Sequence, residues 1–555
     1  MVKLSQKKQF TKRAYPSIAY IFAGRYSENT TILHLKSFKL CPFFLSLFDY
    51  KLLIMTPTIV LLTVAAYLAI LFYVAWRTSR GSDNSSFFTG GRSNSWIVAA
   101  MAMVGAAISG VTFISVPGWV AQSGFSYMQM VMGFIVGNCL IAFVLIPLFY
   151  KLNVISLYQY LDDRFGAKSY ATGAWFFFIS KMTGAALRAF LICAVLQILL
   201  FNAYGIPFIA NVAIMMASVW LYTRVGGVSS VIGTDLLKTA CLIGSVVLCI
   251  VFMIKELGLG FSEAVSQVSS HDYSQLFFFE DGADKRFFWK QFLAGIFMSI
   301  ATTGLDQDMM QRTLSCKSPR DSQKNLVISI FLQATVIFMF LFLGVLFYIF
   351  LAGKGITGGA ESFFPMVDAA GNTIIADSDQ VFSYIATKSG LPLIVGILFV
   401  LGLISSTYSA AGSAMTALTT SFTVDIMHGT KRYDEKRLTV VRKRIHIAMA
   451  VTMGIFILIF NACKNTSLID MVYTLASYTY GPILGMFAFG IFCKRHTADK
   501  YVPFAAIIGV GLSLLLQMNS ERWFGGYQFS YEILLFNAAF TAIGMWLLSL
   551  KNEKK

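Results

Sequence analysis

The chain has 555 residues, of which 57% are hydrophobic and only 13% are charged, and its mean hydropathy is +0.68. Soluble domains carry roughly 25% charged residues, so this composition excludes an ordinary soluble protein and indicates a polytopic membrane protein. The formal net charge of +17 would suggest a nucleic-acid partner for a soluble chain. In a membrane protein Lys and Arg concentrate in cytoplasmic loops, so no nucleic-acid partner is implied.

The cysteines and histidines do not form a recognisable site. The eight cysteines are scattered, mostly inside apolar segments, and the sequence has neither a CxxC pair nor a Cys/His cluster. Zinc and a disulfide framework are therefore not indicated. Since no arrangement for nucleophilic, acid–base or metal-hydrolytic catalysis is visible either, we predict that the chain is not an enzyme and has no organic cofactor.

The hydropathy pattern predicts an all-α integral membrane protein. About 20 apolar residues cross a bilayer as a helix, and on that basis we expect about thirteen transmembrane helices. The predicted spans lie near 56–76, 96–120, 127–150, 169–200, 205–223, 230–254, 289–306, 325–352, 384–421, 444–462, 469–492, 500–518 and 529–549.

Residues 1–54 differ from the rest because they hold nine basic residues and no apolar run of span length. Basic residues also fill every second loop from Arg77 to Lys500, which predicts that those loops and the C-terminus are cytoplasmic. Thirteen spans would then leave the nine N-terminal charges outside, against the same rule. We therefore expect the natural start at Met55, with residues 1–54 coming from an over-extended reading frame; a cytosolic basic arm or a targeting segment is the alternative.

The second predicted span is interrupted by Gly105, Gly110 and the Pro117–Gly118 pair. Such residues free main-chain carbonyls, which need an ion, water or protein partner inside a bilayer. Five spans later, small and hydroxylated residues interrupt the segment 289–312 near Ser299. Two interrupted helices five spans apart are typical of a five-plus-five inverted repeat with a midplane site, although ordinary transmembrane glycine and proline are the alternative.

Two charged residues inside predicted spans are candidates for function. Arg188 lies near the centre of the fourth span and keeps its charge, so it should face an internal partner, water or an anionic group. Asp235 lies close to the inner end of the sixth span. It either pairs with Lys238, three residues further on, or forms a cation site.

The segment 396–425 is apolar enough to span a bilayer, yet small and hydroxylated residues recur every three to four positions between Ser405 and Thr420. This spacing predicts that they share one helical face. Such a face can let helices pack closely, or it can supply oxygen atoms to an ion. The segment by itself favours packing.

Seven short motifs follow one another in the order seen in a known family. They are FFTGGRSNSW (87–96), AAISGVTFISVPG (106–118), YQYLDDRFG (158–166), GGVSSVIGTD (226–235), GLDQDMMQR (304–312), LISSTYSAAGSA (403–414) and YGPILGMFAFGIFCKR (480–495). With them, the chain from Met55 to about Leu550 resembles the sodium:solute symporter family, whose members include bacterial sodium/proline, sodium/galactose and sodium/sialic acid transporters.

The resemblance implies a fold and a mode of action. The fold would be a LeuT-like core of two inverted five-helix repeats, with solute transport by alternating access. The core repeats would cover about 96–254 and 289–492, within a transmembrane domain at 55–555, and the peripheral helices would be 56–76, 500–518 and 529–549.

The resemblance also implies a sodium site between the two segments described above. In the family, carbonyls at the break of the first core helix and a carbonyl plus two hydroxyls on the eighth hold the ion. The matching positions in this sequence are Gly105 and Ile108, then Gly402, Ser405 and Ser406. Neutral oxygens and helix ends suit a hard monovalent cation. Together with the paired breaks, this favours sodium binding by the hydroxyl face.

A second sodium site, present in some members, would use Asp235, Ser405, Ser409 and the position of Tyr408. The tyrosine departs from the family's small hydroxyl, which puts that second ion in doubt. For the solute, the implied positions include Thr112 and Ser299, where sugar transporters carry other polar groups, so a hexose is disfavoured. With Arg188 available, we expect a small carboxylate-bearing solute.

The sequence therefore predicts a sodium-coupled secondary transporter of a small polar organic solute, embedded in a lipid bilayer and consistent with a bacterial inner membrane. The alternative is a transporter-like sensor or receptor. Sensors of this kind carry a cytoplasmic output domain, and only a few residues follow the last predicted span of this sequence. A channel is disfavoured because broken helices around one midplane site are typical of a carrier.

Overall fold

A computed structural model describes residues 55–78, 94–152, 156–224, 228–358, 364–463 and 468–552. The expectation for residues 1–54, and most of the motif at 87–96, fall outside the described residues. Long helices dominate the rest, because in a bilayer only a helix or a closed barrel satisfies every main-chain polar group. The expected all-α membrane fold is confirmed.

The helices are numbered in chain order. They are α1 (Pro57–Thr78), α2 (Trp96–Ala107), α3 (Gly110–Ser123), α4 (Tyr127–Leu140), α5 (Ile146–Leu152), α6 (Gln159–Arg164), α7 (Ala167–Leu199), α8 (Phe208–Thr223), α9 (Val228–Glu256), α10 (Phe261–Ser269), α11 (Phe288–Ser299), α12 (Gln307–Thr313), α13 (Pro319–Gly353), α14 (Val381–Lys388), α15 (Leu393–Ser421), α16 (Gly429–Arg432), α17 (Glu435–Cys463), α18 (Leu468–Phe492), α19 (Val502–Met518), α20 (Ser520–Trp523) and α21 (Ile533–Asn552).

Shorter elements connect or continue these helices. Five-residue π-helical segments extend α4, α11 and α15, and they are Ile141–Leu145, Ile300–Gly304 and Phe422–Ile426. Short 3-10 turns occur at Phe201–Tyr204, Asp272–Ser274, Ser378–Gln380 and Asp499–Tyr501. The strands β1 (Thr357–Gly358), β2 (Met366–Val367) and β3 (Thr373–Ile375) form a small antiparallel sheet in the order β1-β2-β3.

Within the described residues, nine helices are long and apolar enough to cross a membrane. A tenth span results if α2 and α3, which meet at an angle of 58°, are taken as one broken helix, and two shorter apolar helices lie at Phe208–Thr223 and Ile533–Ser549. The total of thirteen spans stays a prediction. The predicted break in the second span, by contrast, is present in the structure.

Helix α15 lies in the middle of the molecule. It packs against α9, α7 and both halves of the broken helix, α2 and α3, and every residue from Gly402 to Ser421 is buried. Over this stretch, the side of α15 opposite the predicted hydroxyl face is therefore also buried and does not contact lipid. A helix buried on all sides needs small residues wherever neighbours approach closely, and hydroxyls that bond back to the helix satisfy their own polarity.

Two long loops between the membrane helices contain short elements. The loop before α11 contains α10. The loop between α13 and α15 contains α14 and the three-stranded sheet. Strands of two or three residues leave too little periodicity to be recognised from sequence, and the sheet was not predicted.

One pair of glycines, Gly133 of α4 and Gly295 of α11, allows these two helices to approach closely. A Cβ atom added to Gly295 of α11 would collide with the main-chain oxygen of Met130 and lie 3.1 Å from the Cα atom of Gly133 on α4. A Cβ atom on Gly133 would lie 2.8 Å from the main-chain nitrogen of Ile296. The two helices therefore touch main chain to main chain, as small residues permit in membranes.

We predict that Gly295→Ala lowers the melting temperature of the purified protein, because the added methyl group meets main-chain atoms that cannot rotate away. Overpacking of this kind costs about 1–3 kcal/mol. The matched control is Gly244→Ala in α9, where an added Cβ atom meets no heavy atom within 4 Å. Equal melting temperatures for the two variants would contradict the proposed close contact.

Candidate functional site

The break between α2 and α3 leaves main-chain oxygens without helical partners. The last hydrogen bond of α2 runs from the amide of Ile108 to the oxygen of Val104 (3.0 Å), and the first of α3 runs from Phe113 to Ser109 (3.1 Å). Among the described residues, no group donates a hydrogen bond to the oxygens of residues 105–108. These carbonyls, which include those of Gly105 and Ile108, are free to bind a cation or water.

The middle of α15 faces this break. A Cβ atom on Gly110, the first residue of α3, would lie 3.4 Å from Oγ of Ser406 and 2.7 Å from Oγ1 of Thr407. A Cβ atom on Gly402, one turn earlier, would collide with the ring of Phe113 in α3. The structure thus brings Gly402 and Ser406, two of the three predicted sodium residues of α15, to the broken helix. Thr407, which was not predicted from sequence, adds a hydroxyl at the break.

The two predicted serine ligands are buried and keep oxygen lone pairs available. The Ser405 hydroxyl donates to the main-chain oxygen of Leu401 (2.7 Å), and the Ser406 hydroxyl donates to that of Leu403 (2.9 Å). Each hydroxyl uses its hydrogen within the helix, so its oxygen can still accept or coordinate. The role of these serines in sodium binding stays a prediction.

A cavity of about 100 Å³ lies beside the break. Ala106 and Ala107 from the broken helix contribute to its wall, together with Arg188 of α7 and Ser299 of α11. Two of the three predicted solute residues therefore share one cavity. The third, Thr112, is buried in α3 and is not among the described residues that line it.

Arg188 is the uncompensated positive charge of this cavity. No hydrogen bond or ion pair joins it to another described residue, and its Nε atom is buried without a partner. In the same cavity, the Ser299 hydroxyl accepts a hydrogen bond from the Asn138 amide (2.8 Å) and can donate its own hydrogen. A partly buried guanidinium without a carboxylate beside it favours the approach of an anion or water. This arrangement favours a negatively charged occupant.

A cluster of six buried charged side chains connects this cavity with α15. None of the six exposes more than 6% of its surface. Three are positive and three negative, so the formal charges cancel. The members are Lys181, Lys238, Arg312, Asp235, Asp306 and Asp308.

The cavity end of the cluster is built around Lys181 of α7. Its ammonium group lies 3.1 Å from Asp306 and 2.9 Å from Asp308. Asp306 also caps α12, accepting hydrogen bonds from the amides of Asp308 (2.9 Å) and Met309 (3.1 Å), and it accepts one from the hydroxyl of Tyr480. Lys181 is thus neutralised, which leaves Arg188 to attract an anion.

The other end of the cluster surrounds Asp235 of α9. Its carboxylate binds Arg312 at 2.7 Å and Lys238 at 3.2 Å, and it accepts a hydrogen bond from the Ser409 hydroxyl at 3.0 Å. Arg312 reaches further, to the main-chain oxygen of Ala102 in α2 (3.1 Å). The predicted pairing of Asp235 with Lys238 is present. The alternative of a second sodium ion at Asp235 and Ser409 stays a prediction, and two cations already bind that carboxylate.

Tyr408, the position that departs from the family pattern, turns towards α1 and α8. Its hydroxyl lies 2.7 Å from that of Ser218, and its ring packs against those of Tyr67 and Tyr222 at 6.4 Å and 6.3 Å. Its hydroxyl therefore bonds away from Asp235. The main-chain oxygen of Tyr408 nevertheless points towards Lys238, at 3.5 Å.

An aromatic layer separates the cavity from a second, polar cleft. Tyr473, which lines the cavity, shares a hydrogen bond of 2.6 Å with Tyr127, and Tyr127 packs against Trp119 at the edge of the cleft. In the loop beside that cleft, burial opposes ionisation of Asp284, but hydrogen bonds from Arg286 outweigh it and hold the pKa of Asp284 below its usual range. Acidic and basic side chains therefore line this cleft.

Four members of the charge cluster were not predicted from sequence, namely Lys181, Asp306, Asp308 and Arg312. Three of them stand in the motif GLDQDMMQR, which entered only as part of the family resemblance. Two acids and an arginine at the end of an apolar span were the available signal, because charges that close to a membrane interior need partners. Lys181 lies in the same predicted span as Arg188 and would have been found by the same rule.

The sequence profile of the sodium:solute symporter family matches residues 87–503. The chain belongs to this family. It is therefore a multi-pass, sodium-coupled secondary transporter that works by alternating access, with sodium as its coupling ion, and it is not an enzyme.

Individual relatives agree with this assignment. The chain is 24% identical over 464 residues to sodium-coupled monocarboxylate transporter 1 of Mus musculus, covering 82% of this chain and 70% of that protein. It is 22% identical over 468 residues to the sodium/sialic acid symporter SiaT of Proteus mirabilis, covering 81% and 86%.

Solved structures confirm the LeuT-like core of this symporter. A substrate-bound, outward-open Na⁺-coupled sialic acid symporter matches with a TM-score of 0.73 at 18% identity, covering 89% of this chain and 98% of that one. The nucleobase-cation-symport-1 family transporter Mhp1 matches with a TM-score of 0.52 at 13% identity, covering 84% and 95%. At these identities the likeness concerns the fold.

We predict that Arg312→Met strongly destabilises the symporter, because it leaves the carboxylates of Asp235 and Asp308 short of a positive charge. Removal of one partner of a buried ion pair costs about 3–5 kcal/mol. The double variant Asp308→Leu/Arg312→Met removes one charge of each sign and should recover part of the loss. Melting temperatures in detergent measure the loss of stability in Arg312→Met, in Asp308→Leu and in the double variant. If the loss in the double variant equals the sum of the losses in the two single variants, the charges do not act as a cluster.

Proposed function

We propose that this symporter couples inward sodium movement to the uptake of a small carboxylate-bearing organic solute. The observation that carries the proposal is Arg188, whose guanidinium is unpaired among the described residues and lines the cavity beside the broken helix. A guanidinium offers two parallel hydrogen bonds to a carboxylate. The hydroxyl of Ser299 offers a further donor in the same cavity.

The relatives support a carboxylate. Their names assign monocarboxylates to the Mus musculus protein and sialic acid to the Proteus mirabilis protein. Monocarboxylates and sialic acid both carry a carboxylate group, although the molecules differ in size. We propose that the same group is what this chain recognises.

We propose that sodium binds on the other side of the same break, between the carbonyls of Gly105 and Ile108 and the α15 positions Gly402, Ser405 and Ser406. The approach of Gly110 to Ser406 supports this. Sodium would join α15 to the broken helix, while the solute would contact its opposite side at the cavity. Each ligand then favours the conformation that the other needs, which is the basis of coupling. One positive charge moving through 100 mV supplies roughly 2.3 kcal/mol.

We also propose that the fold begins at Met55 and that the C-terminus faces the cytoplasm of a bacterial inner membrane. The side chain of Met55 supports the first part, because its sulfur lies 3.1 Å from a Cβ atom placed on Gly396 of α15. The distribution of basic loops supports the orientation. Detection of Lys12 or Lys36 in the mature protein would contradict a start at Met55.

We predict that Arg188→Gln reduces sodium-driven uptake of labelled short carboxylates by about tenfold to a hundredfold, because a charge-assisted bidentate contact is worth about 1.5–3 kcal/mol. Uptake into proteoliposomes with and without a sodium gradient measures it. The control is Arg432→Gln, an exposed arginine in α16. Transport of a neutral hexose that is insensitive to Arg188→Gln would refute the carboxylate proposal.

We predict that the double variant Ser405→Ala/Ser406→Ala raises the sodium concentration needed for half-maximal uptake and leaves the melting temperature nearly unchanged. Among the residues that the structure describes, both hydroxyls bond only within α15, so their removal costs little packing but takes away two ion ligands. Sodium titration of uptake, together with melting curves in potassium, separates the two effects. Unchanged sodium activation would place the ion elsewhere.

A further inference from the structure

The ammonium group of Lys238 lies in a buried cage of oxygen atoms. Its Nζ atom is 3.2 Å from a carboxylate oxygen of Asp235, 3.4 Å from the hydroxyl of Tyr222 and 3.5 Å from the main-chain oxygen of Tyr408. The ring of Tyr222 also lies 4.9 Å from the nitrogen, close enough for a cation–π contact. Carboxylate, hydroxyl and carbonyl oxygens are the groups that hold a hard cation in proteins.

The same cage contains Asp235 and Ser409, two of the positions that the family resemblance implied for a second sodium ion. Ser409 donates its hydroxyl hydrogen to the oxygen of Asp235 that also binds Lys238. The remaining oxygen of Asp235 binds Arg312. A free sodium ion at this carboxylate would compete with an ammonium group tethered three residues away on the same helix, and a tethered group has the advantage of a high effective concentration.

The charge balance of the cluster leads to the same conclusion. The three lysine and arginine side chains offset the three aspartates, so an added sodium ion would leave one uncompensated positive charge in a buried site, which is unfavourable. Loss of the Lys238 charge would instead leave one uncompensated negative charge. A monovalent cation from solution can restore neutrality in that case.

We propose that Lys238 is a built-in cation that fills a second cation site of this symporter, so that a single free sodium ion binds per chain, and that removal of its ammonium group opens the site to a second sodium ion. The inference rests on the proposed function only in placing the first ion at the break. The identity of the solute does not affect the test, because bound sodium ions can be counted without solute.

The test counts radioactive sodium bound to the purified full chain at saturating sodium, with potassium as the replacement salt. The wild type should bind about one ion and Lys238→Met about two, because the variant opens one additional site. The double variant Asp235→Asn/Lys238→Met removes the uncompensated charge and should return to about one ion. Lys431→Met, an exposed lysine of α16, is the matched control and should bind as the wild type does.

A wild-type count of two, or a Lys238→Met count equal to that of the wild type, would overturn the proposal. If Lys238→Met does not fold, Ser409→Ala decides, since it removes one oxygen ligand from the cage and leaves the charges in place. If Ser409→Ala still binds one sodium ion, the result supports a second site that lysine already fills. If Ser409→Ala binds no sodium ion, the proposal is refuted. A single ion that survives Ser405→Ala/Ser406→Ala would contradict the proposed site at the break, and a gain by Lys238→Met would still support this inference.

Discussion

The arrangement of the helices depends on the need to balance six buried charges. An ionised side chain in a low-dielectric interior is tolerated only beside an opposite charge or a set of hydrogen-bond donors and acceptors. Arg312 meets this requirement by joining α12 to α9 through Asp235 and to α2 through the main-chain oxygen of Ala102. Lys181 adds α7 to the same assembly. Helices from both repeats are therefore held in one register by electrostatics, while the apolar packing around them is less directional.

The broken helix supplies the second organising feature. Gly110, at the start of its second half, approaches Ser406 of α15, and Ala106 and Ala107, at the end of its first half, form part of the cavity wall. The proposed ion and the proposed solute would thus both contact the short main-chain segment between α2 and α3. Movement of that segment on binding of one ligand would directly change the site of the other, so coupling does not require a long pathway through the protein.

Much of this could be predicted from sequence, because the strongest constraints were local. The break at Gly105–Gly110, the hydroxyl-rich helix with Ser405 and Ser406, and the pairing of Asp235 with Lys238 all follow from spacing along one or two segments. Contacts between distant segments were not predictable in this way. Arg312 and Asp235 are far apart in sequence, and no local pattern around either residue indicates that the two form an ion pair. The hydroxyl stripe was expected on one face, whereas α15 is buried on all sides, since burial depends on neighbours that periodicity does not reveal.

The contact between Gly133 and Gly295 has a consequence for motion. Helices whose main chains touch cannot slide or rotate against each other without collisions between atoms that have no side-chain freedom. Helices α4 and α11 should therefore travel as one rigid body during the transport cycle, although they belong to different repeats. The hinges that let the molecule alternate must lie elsewhere. The π-helical segment Ile300–Gly304, directly after α11, is a place where such bending could be absorbed.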